Sequence, residues 1–251
     1  QGRISAMEGN LFGLRAVTGG RAPIEATVAQ LLNTSRSVAQ QHGANRVVDA
    51  NSLTMRMTAA LLLARHGELE ESRAVFEECR ASLPKIDATR PQTQELITSM
   101  AALEVRSELA TRSGDREELL SVANDAATLA NIYELRLSPS FHRTESIAGL
   151  ILISGKIQRI HGEPASASTQ LTRAYTLYDS LAETSPTHFY VAVGRCEAAL
   201  SLHELLAAGG AEESEWLARA EAHYEALPGD DAAKAIIDEL GQRVFAALSG
   251  R

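Results

Sequence analysis

The fold is decided by one stretch of the chain, Arg65-His66-Gly67-Glu68-Leu69-Glu70-Glu71-Ser72-Arg73-Ala74-Val75-Phe76, which continues through Cys79 to Pro84. A glycine closes one helix and two acids open the next. Small and apolar side chains then follow at helical spacing, and a proline stops the run. The stretch therefore predicts two helices joined by a tight turn.

The same turn recurs along the chain. A glycine precedes an acidic or amphipathic helix start at intervals of 47, 47, 48 and 48 residues, at Gly20, Gly67, Gly114, Gly162 and Gly210. A near-constant period of this size is typical of helical repeat proteins. We therefore predict a single domain over 1–251 built from five helix pairs, at about 1–43, 44–90, 91–140, 141–186 and 187–230. A helix over about 231–248 is predicted to cover the open end.

The spacing of apolar residues supports a helical interpretation of each unit. The first helix is predicted over 3–17, with Ile4, Met7, Leu11 and Leu14 on one face. The fourth unit is the most apolar, so we expect it near the middle of the core. Breaks between units fall at Pro84, Ser138-Pro139, Ser185-Pro186 and Leu227-Pro228-Gly229.

Composition limits the fold class and the partners. The 251 residues are 45% hydrophobic but only 4% aromatic, which favours an all-α globular protein. A net charge of −8 opposes general nucleic-acid binding, because phosphate would be repelled. No run of eighteen apolar residues is present, so we expect no membrane insertion. The chain begins at Gln1 rather than Met, which suggests a processed piece of a longer protein.

Aligned on the turn glycine, the units resemble tetratricopeptide repeats. Seven residues before the glycine that family requires a small side chain, and here stand Gly13, Ala60, Ser107, Gly155 and, as the exception, His203. Twelve residues after it stand Leu32, Cys79, Ala126, Ala174 and Ala222. The family's usual period is about 34 residues, so these units are longer.

The resemblance implies a right-handed superhelix, an α-solenoid, whose first helices line a concave groove. Long-helix variants of this kind occur in regulatory regions of bacterial signalling proteins. The segment Leu177-Tyr178-Asp179-Ser180-Leu181-Ala182 is similar to repeat regions attached to bacterial receptor-type Ser/Thr protein kinases. The resemblance therefore implies a sensory or scaffold module, which binds a protein or peptide in its groove.

The family's groove positions map onto polar residues of the first helices. They are Asn10, Thr54, Met57, Glu104, Glu108, Arg112, Lys156, Arg159, Glu197 and Glu204. The set mixes acids and bases, so an extended partner of mixed charge fits better than a clamp for a terminal carboxylate. The alternative interpretation of each residue is an ordinary solvated helix surface.

The sequence contains no recognisable catalytic or metal-binding motif. The seven histidines do not pair at metal-ligand spacing, and the two cysteines stand 117 positions apart, so we expect core thiols rather than a zinc site or a disulfide. Gly149–Lys156 superficially resembles a phosphate-binding loop, but its glycine spacing is wrong and Ile157 replaces the required hydroxyl. We therefore expect no cofactor, no metal and no catalytic site.

The sequence thus predicts a non-catalytic interaction or sensory module of a larger bacterial signalling protein. Two alternatives stay open: the effector-sensing part of a transcription regulator, and an all-α enzyme whose site is assembled from dispersed residues. Both cytoplasm and periplasm are compatible with the sequence. The partner and the oligomeric state are not specified by any motif.

Replacing Gly155 by leucine tests the predicted helix pairing. A leucine at this small-residue position is expected to push the two helices of the fourth unit apart. The free energy of unfolding should fall by about 1–3 kcal/mol through overpacking. A thermal melt of Gly155→Leu that coincides with that of the wild type would contradict the pairing.

Overall fold

The computed structural model describes residues 21–42, 46–83, 93–136, 138–161, 163–206, 211–227 and 234–249. Over these residues the chain is helical with short turns and contains no strand, which confirms the all-α class. The described helices are α1 Arg21–His42, α2 Arg46–Arg65, α3 Leu69–Arg80, α4 Thr93–Ser113, α5 Arg116–Arg136, α6 Phe141–Ile160, α7 Pro164–Thr184, α8 Phe189–Leu206, α9 Ala211–Glu225 and α10 Lys234–Ser249.

The chain forms two compact units, Gln1–Leu119 and Leu120–Arg251, called here the N-terminal and C-terminal units. The helix bounds fall within the predicted ranges: α2 and α3 within 44–90, α6 and α7 within 141–186, and α8 and α9 within 187–230. The superhelix, the number of repeats and the single domain stay predictions. The helix predicted over 3–17 lies outside the described residues.

Glycine closes two of the described turns for a backbone reason. Gly67 and Gly114 have φ angles of 86° and 70°, in the left-handed region that glycine enters without a Cβ penalty. Around Gly67, the N–H of Glu68 donates to the carbonyl of Leu63 at 3.0 Å, while the N–H of Gly67 donates to Ala64 at 3.0 Å. These two bonds satisfy carbonyls that the helix end would otherwise leave open.

Small residues bring the two helices of a pair together. In the second pair, the Ser72 hydroxyl donates to the Ala60 carbonyl across the two helices at 2.7 Å. In the fourth pair, a Cβ added at Gly155 would lie 2.9 Å from two side-chain atoms of Leu171. The family-type small positions therefore mark points of close helix approach in these pairs.

The fifth pair departs from the alignment with the tetratricopeptide family at one position. Ala222 is exposed, whereas Ala220, two residues earlier, is fully buried. The Cys196 thiol donates to the Ala220 carbonyl at 3.4 Å, so α8 and α9 approach each other there. The buried stripe of α9 runs through Leu217 and Ala220, which places Ala222 on the opposite face.

The final helix packs against the C-terminal unit. Leu240 and Val244 of α10 are buried in one cluster with Cys196, Ala199 and Leu200 of α8. The apolar stripe of α10 therefore packs within the C-terminal unit. Both cysteines are buried free thiols.

Within the described ranges, no helix combines the length and the apolarity that crossing a membrane would require.

Candidate functional site

The predicted groove residues are distributed over both units. Glu104, Glu108 and Arg112 lie on α4 in the N-terminal unit. In the C-terminal unit, α6 carries Lys156 and Arg159, and α8 carries Glu197 and Glu204. Asn10 lies outside the described residues.

The three α4 residues are spaced four apart and so share a helix face. Arg112 Nε lies 2.9 Å from Glu108 Oε1, and Arg112 Nη2 donates to the Arg65 carbonyl at 3.3 Å. Glu104 is half-buried on the same face. This part of the predicted groove therefore holds an ion pair within α4. The hydrogen bond from Arg112 to the Arg65 carbonyl links α4 to the end of α2.

Two predicted groove residues of α2 are not on a surface. Met57 is fully buried in the apolar cluster that includes Ala101 and Val105 of α4. Thr54 is buried too, with its hydroxyl 2.9 Å from that of Thr98. The prediction was wrong for Thr54 and Met57, because α2 turns these side chains toward α4.

In the C-terminal unit the four predicted residues meet a fifth, Arg243 of α10, in what we call the five-residue ion network. Lys156 Nζ lies 2.7 Å from Glu197 Oε1, and Arg159 Nη2 lies 2.9 Å from Glu204 Oε2. Arg243 bridges the two carboxylates, with Nη1 3.1 Å from Glu197 Oε1 and Nη2 3.0 Å from Glu204 Oε1. The network thus joins α6, α8 and α10.

The network is mostly shielded but open at one edge. The Lys156 side chain is 33% exposed, compared with 21% for Arg159 and 26% for Arg243. Partial burial weakens screening by salt, so these charges interact more strongly than ordinary surface pairs. Lys156 is therefore the member most accessible to a partner.

The charges of the network shift the pKa values of two of its members, Glu197 and Arg243. Burial alone would raise the pKa of Glu197, but Lys156 and Arg243 outweigh it and hold that pKa below its ordinary value. Burial would lower the pKa of Arg243, but Glu197 and Glu204 outweigh it and raise that pKa. Both groups thus stay ionised, which suits binding and positioning rather than proton transfer.

Arg243 was missed by sequence reasoning because α10 was interpreted as a cover for an open end. A signal was present in its position. Arg243 directly precedes Val244 and follows Leu240 by three residues, so it borders the buried stripe of the helix. A cation at such a position needs a carboxylate partner in the helix beneath it.

A second polar cluster joins α7 and α9. The Tyr175 hydroxyl lies 3.1 Å from His223 Nε2, and the Arg219 guanidinium lies 4.6 Å from the centre of the Trp216 ring. Burial, with Arg195 and Arg219 nearby, lowers the pKa of His223 to about 4, and burial raises the pKa of Tyr175. Tyr175 and His223 are therefore a neutral pair near pH 7, and the cluster is structural in character.

A third cluster lies where α6 and α8 begin. The two oxygens of Glu145 face His142 Nδ1 at 3.6 Å and His188 Nδ1 at 3.5 Å, and Phe141 packs edge-on against His188. Burial lowers the pKa of His188, and His142 lowers it further. Nowhere in the described part of the chain do three or more His, Cys, Asp or Glu side chains form a group that could hold a metal ion.

A cleft of about 450 Å³ lies in the N-terminal unit, between α3, α4 and the start of α5. Its apolar floor includes Phe76, Leu83 and Leu109. Each of its three arginines already has an acidic partner, in the pairs Arg73–Glu70, Arg80–Glu77 and Arg106–Glu118. The cleft is therefore charge-compensated and offers no concentrated field for an ionic ligand.

The cysteines are not prepared for nucleophilic chemistry. Burial raises the pKa of Cys196 to about 12, and burial also raises that of Cys79. A reactive cysteine requires the opposite shift, toward the thiolate. Both side chains therefore act as small core residues, as their sequence positions predicted.

Comparison with known proteins identifies no relative of this chain. The chain matches no protein-family model, no curated protein and no solved structure. The tetratricopeptide-like and kinase-related relationships therefore stay predictions from the repeat pattern.

Removing Arg243 tests the energetic role of the five-residue ion network. Arg243→Met leaves Glu197 and Glu204 with one cation each in a shielded site, so unfolding free energy should fall by about 2 kcal/mol. Lys156→Met should cost less, because Lys156 is more exposed and Glu197 keeps Arg243. Urea unfolding measures both, with exposed Arg136→Met as the control, expected within about 0.5 kcal/mol of wild type. Equal losses for Arg243→Met and Arg136→Met would contradict the network.

The neutral Tyr175–His223 pair predicts a pH dependence of stability. The folded pKa of His223 is about 4, below the ordinary 6.5, so the unfolded chain binds a proton that the folded chain does not between these values. Wild-type stability should therefore fall as pH drops from 6.5 toward 4.

His223→Gln lacks this contribution, so its unfolding free energy should fall less over the same pH range. Urea titrations at several pH values measure the difference. His66→Gln, at an exposed turn, is the control and should follow the wild type. Parallel pH profiles for His223→Gln and wild type would show that the pair does not titrate as described.

Proposed function

We propose that this chain is a protein-interaction module that binds an extended protein or peptide segment on the C-terminal unit. The binding surface is the face where α6, α8 and α10 contribute the five-residue ion network. One observation carries the proposal: four residues selected as groove positions from sequence, Lys156, Arg159, Glu197 and Glu204, converge on one charged site.

The character of the site favours recognition over catalysis. Lys156 and Arg243 hold the pKa of Glu197 below its ordinary value, whereas a general acid or base needs a pKa near the working pH. The cysteine thiols are buried with raised pKa values. A fixed array of charged groups that takes no part in proton transfer is suited to positioning a partner.

The geometry also matches how proteins recognise one another. Arginine is enriched at interfaces because its planar group makes several hydrogen bonds while its stem packs against apolar surface. Arg159 and Arg243 are held here by carboxylates, so their geometry is fixed before a partner arrives. Such preorganisation lowers the entropy lost on binding.

The role in a larger protein rests on the sequence resemblance alone. We infer a regulatory or sensory module of a bacterial signalling protein, of the kind attached to a receptor-type Ser/Thr kinase. The competing role is effector sensing, and the observation that bears on it is the cleft of the N-terminal unit. Its volume of about 450 Å³ suits a small ligand. Its compensated charges make it the weaker candidate.

Selection from a random peptide library tests the proposed binding face. Immobilised wild-type protein should enrich peptides that lose affinity for Lys156→Gln/Arg159→Gln by about tenfold or more. The matched control is Arg136→Gln/Arg173→Gln, which removes the same two positive charges elsewhere in the C-terminal unit. Circular dichroism melts establish that each variant is folded.

The proposal is supported if the control binds the enriched peptides like the wild type. Enriched peptides that bind both double variants equally well would place recognition elsewhere and contradict it. Failure to enrich any peptide would also contradict it.

A further inference from the structure

We propose that the segment bound at this face is acidic and places a carboxylate side chain against Lys156 and Arg159. This inference rests on the proposed function and specifies its partner. It follows from three properties of the five-residue ion network: its charge, its unused hydrogen-bond donors and its exposed edge.

The five residues of the network together carry one more positive than negative charge. Lys156, Arg159 and Arg243 contribute three cations, and Glu197 and Glu204 contribute two anions. The chain as a whole has a net charge of −8, so this site is positive against an acidic background. In a partly buried site one excess charge is weakly screened and favours an anionic partner.

Hydrogen-bond donors are in surplus on α6. The Lys156 ammonium has three N–H groups, and its contact within the network is the one with Glu197. Arg159 has five N–H donors and reaches Glu204 through Nη2. A carboxylate has only acceptors, so it complements such a surplus of donors.

The surplus donors share one surface. Lys156 and Arg159 are three residues apart on α6, so their side chains are neighbours on the same helix face. Lys156 is also the most exposed member of the network, with 33% of its side chain accessible. An incoming side chain can therefore reach this edge without displacing α10.

Two other charged groups of α6 and α8 have partners outside the network. Arg195 of α8 pairs with Asp179 of α7 at 3.2 Å, and Glu145 at the start of α6 faces His142 and His188. Asp238 of α10 is exposed and lies five residues before Arg243, more than a helical turn away.

The same features disfavour two other partners. A basic segment would have to compete with two cations already placed on each carboxylate. A nucleic acid would bring many phosphates to a protein whose net charge is −8, and one excess cation cannot compensate that repulsion. A protein segment that brings one carboxylate side chain to Lys156 and Arg159 fits the single positive edge.

Fluorescence anisotropy with designed probes tests the inference. Three labelled peptides of about 15 residues share one extended, otherwise uncharged sequence but carry Glu, Gln or Lys at a single central position. At an ionic strength of about 0.02 M, the Glu peptide should bind the wild type about tenfold more tightly than the Gln peptide. A labelled oligothymidylate of similar length should bind more weakly than the Glu peptide.

Two double variants show whether the preference for the Glu peptide arises at Lys156 and Arg159. Lys156→Gln/Arg159→Gln should remove the preference for Glu over Gln, while Arg136→Gln/Arg173→Gln should retain it. The charge-matched control separates a local contact from a change in overall charge. The preference of the wild type should also shrink at about 0.2 M ionic strength.

The outcomes separate this inference from the proposed function. Equal binding of Glu and Gln peptides, if it is lost in Lys156→Gln/Arg159→Gln, would overturn the acidic partner and leave the binding face standing. Tighter binding of the Lys peptide or of the oligothymidylate would overturn the inference in the same way. Binding of the Glu peptide that is unchanged in Lys156→Gln/Arg159→Gln, or no binding of any probe, would overturn both.

Discussion

Close approach of paired helices is the constraint on which the rest of the structure depends. It requires small side chains where the helices meet. Ala60 meets Ser72 in one pair, and Gly155 leaves room for Leu171 in another. Such contacts fix the rotation of each helix about its axis, because a larger side chain would force the pair apart. That rotation decides which residues of α6 face α8 and which remain at the surface.

The five-residue ion network follows from this fixed rotation. With α6 and α8 held in place, their charged residues fall on one side, and Arg243 of α10 completes the set. Removing charges from water is costly, so a site like this adds less to stability than its contacts suggest. Its value lies in holding guanidinium and ammonium groups in one geometry, which is the property that recognition needs and that a flexible surface lacks.

The sequence predicted the helices well because their signals are local. Period, glycine turns and proline breaks predicted unit ranges that contain α6, α7 and α8, and Gly67 and Gly114 have the predicted backbone role. Prediction from the sequence failed where the burial or pairing of a side chain depends on packing between distant segments. Thr54 and Met57 look like surface residues until α4 covers them, and Arg243 gains a role only beside carboxylates 39 and 46 positions earlier. The family alignment likewise failed in α9, where its small-residue position, Ala222, is exposed and Ala220 meets Cys196 instead.

A double-mutant cycle between Arg243 and Glu204 tests most directly whether α10 and α8 form one charged site. Urea unfolding of Arg243→Gln, Glu204→Gln and the double variant gives their coupling free energy. Contact through the described ion pair predicts a coupling of about 1 kcal/mol or more. Additive effects, within about 0.3 kcal/mol, would contradict the contact and with it the site on which the proposed recognition depends.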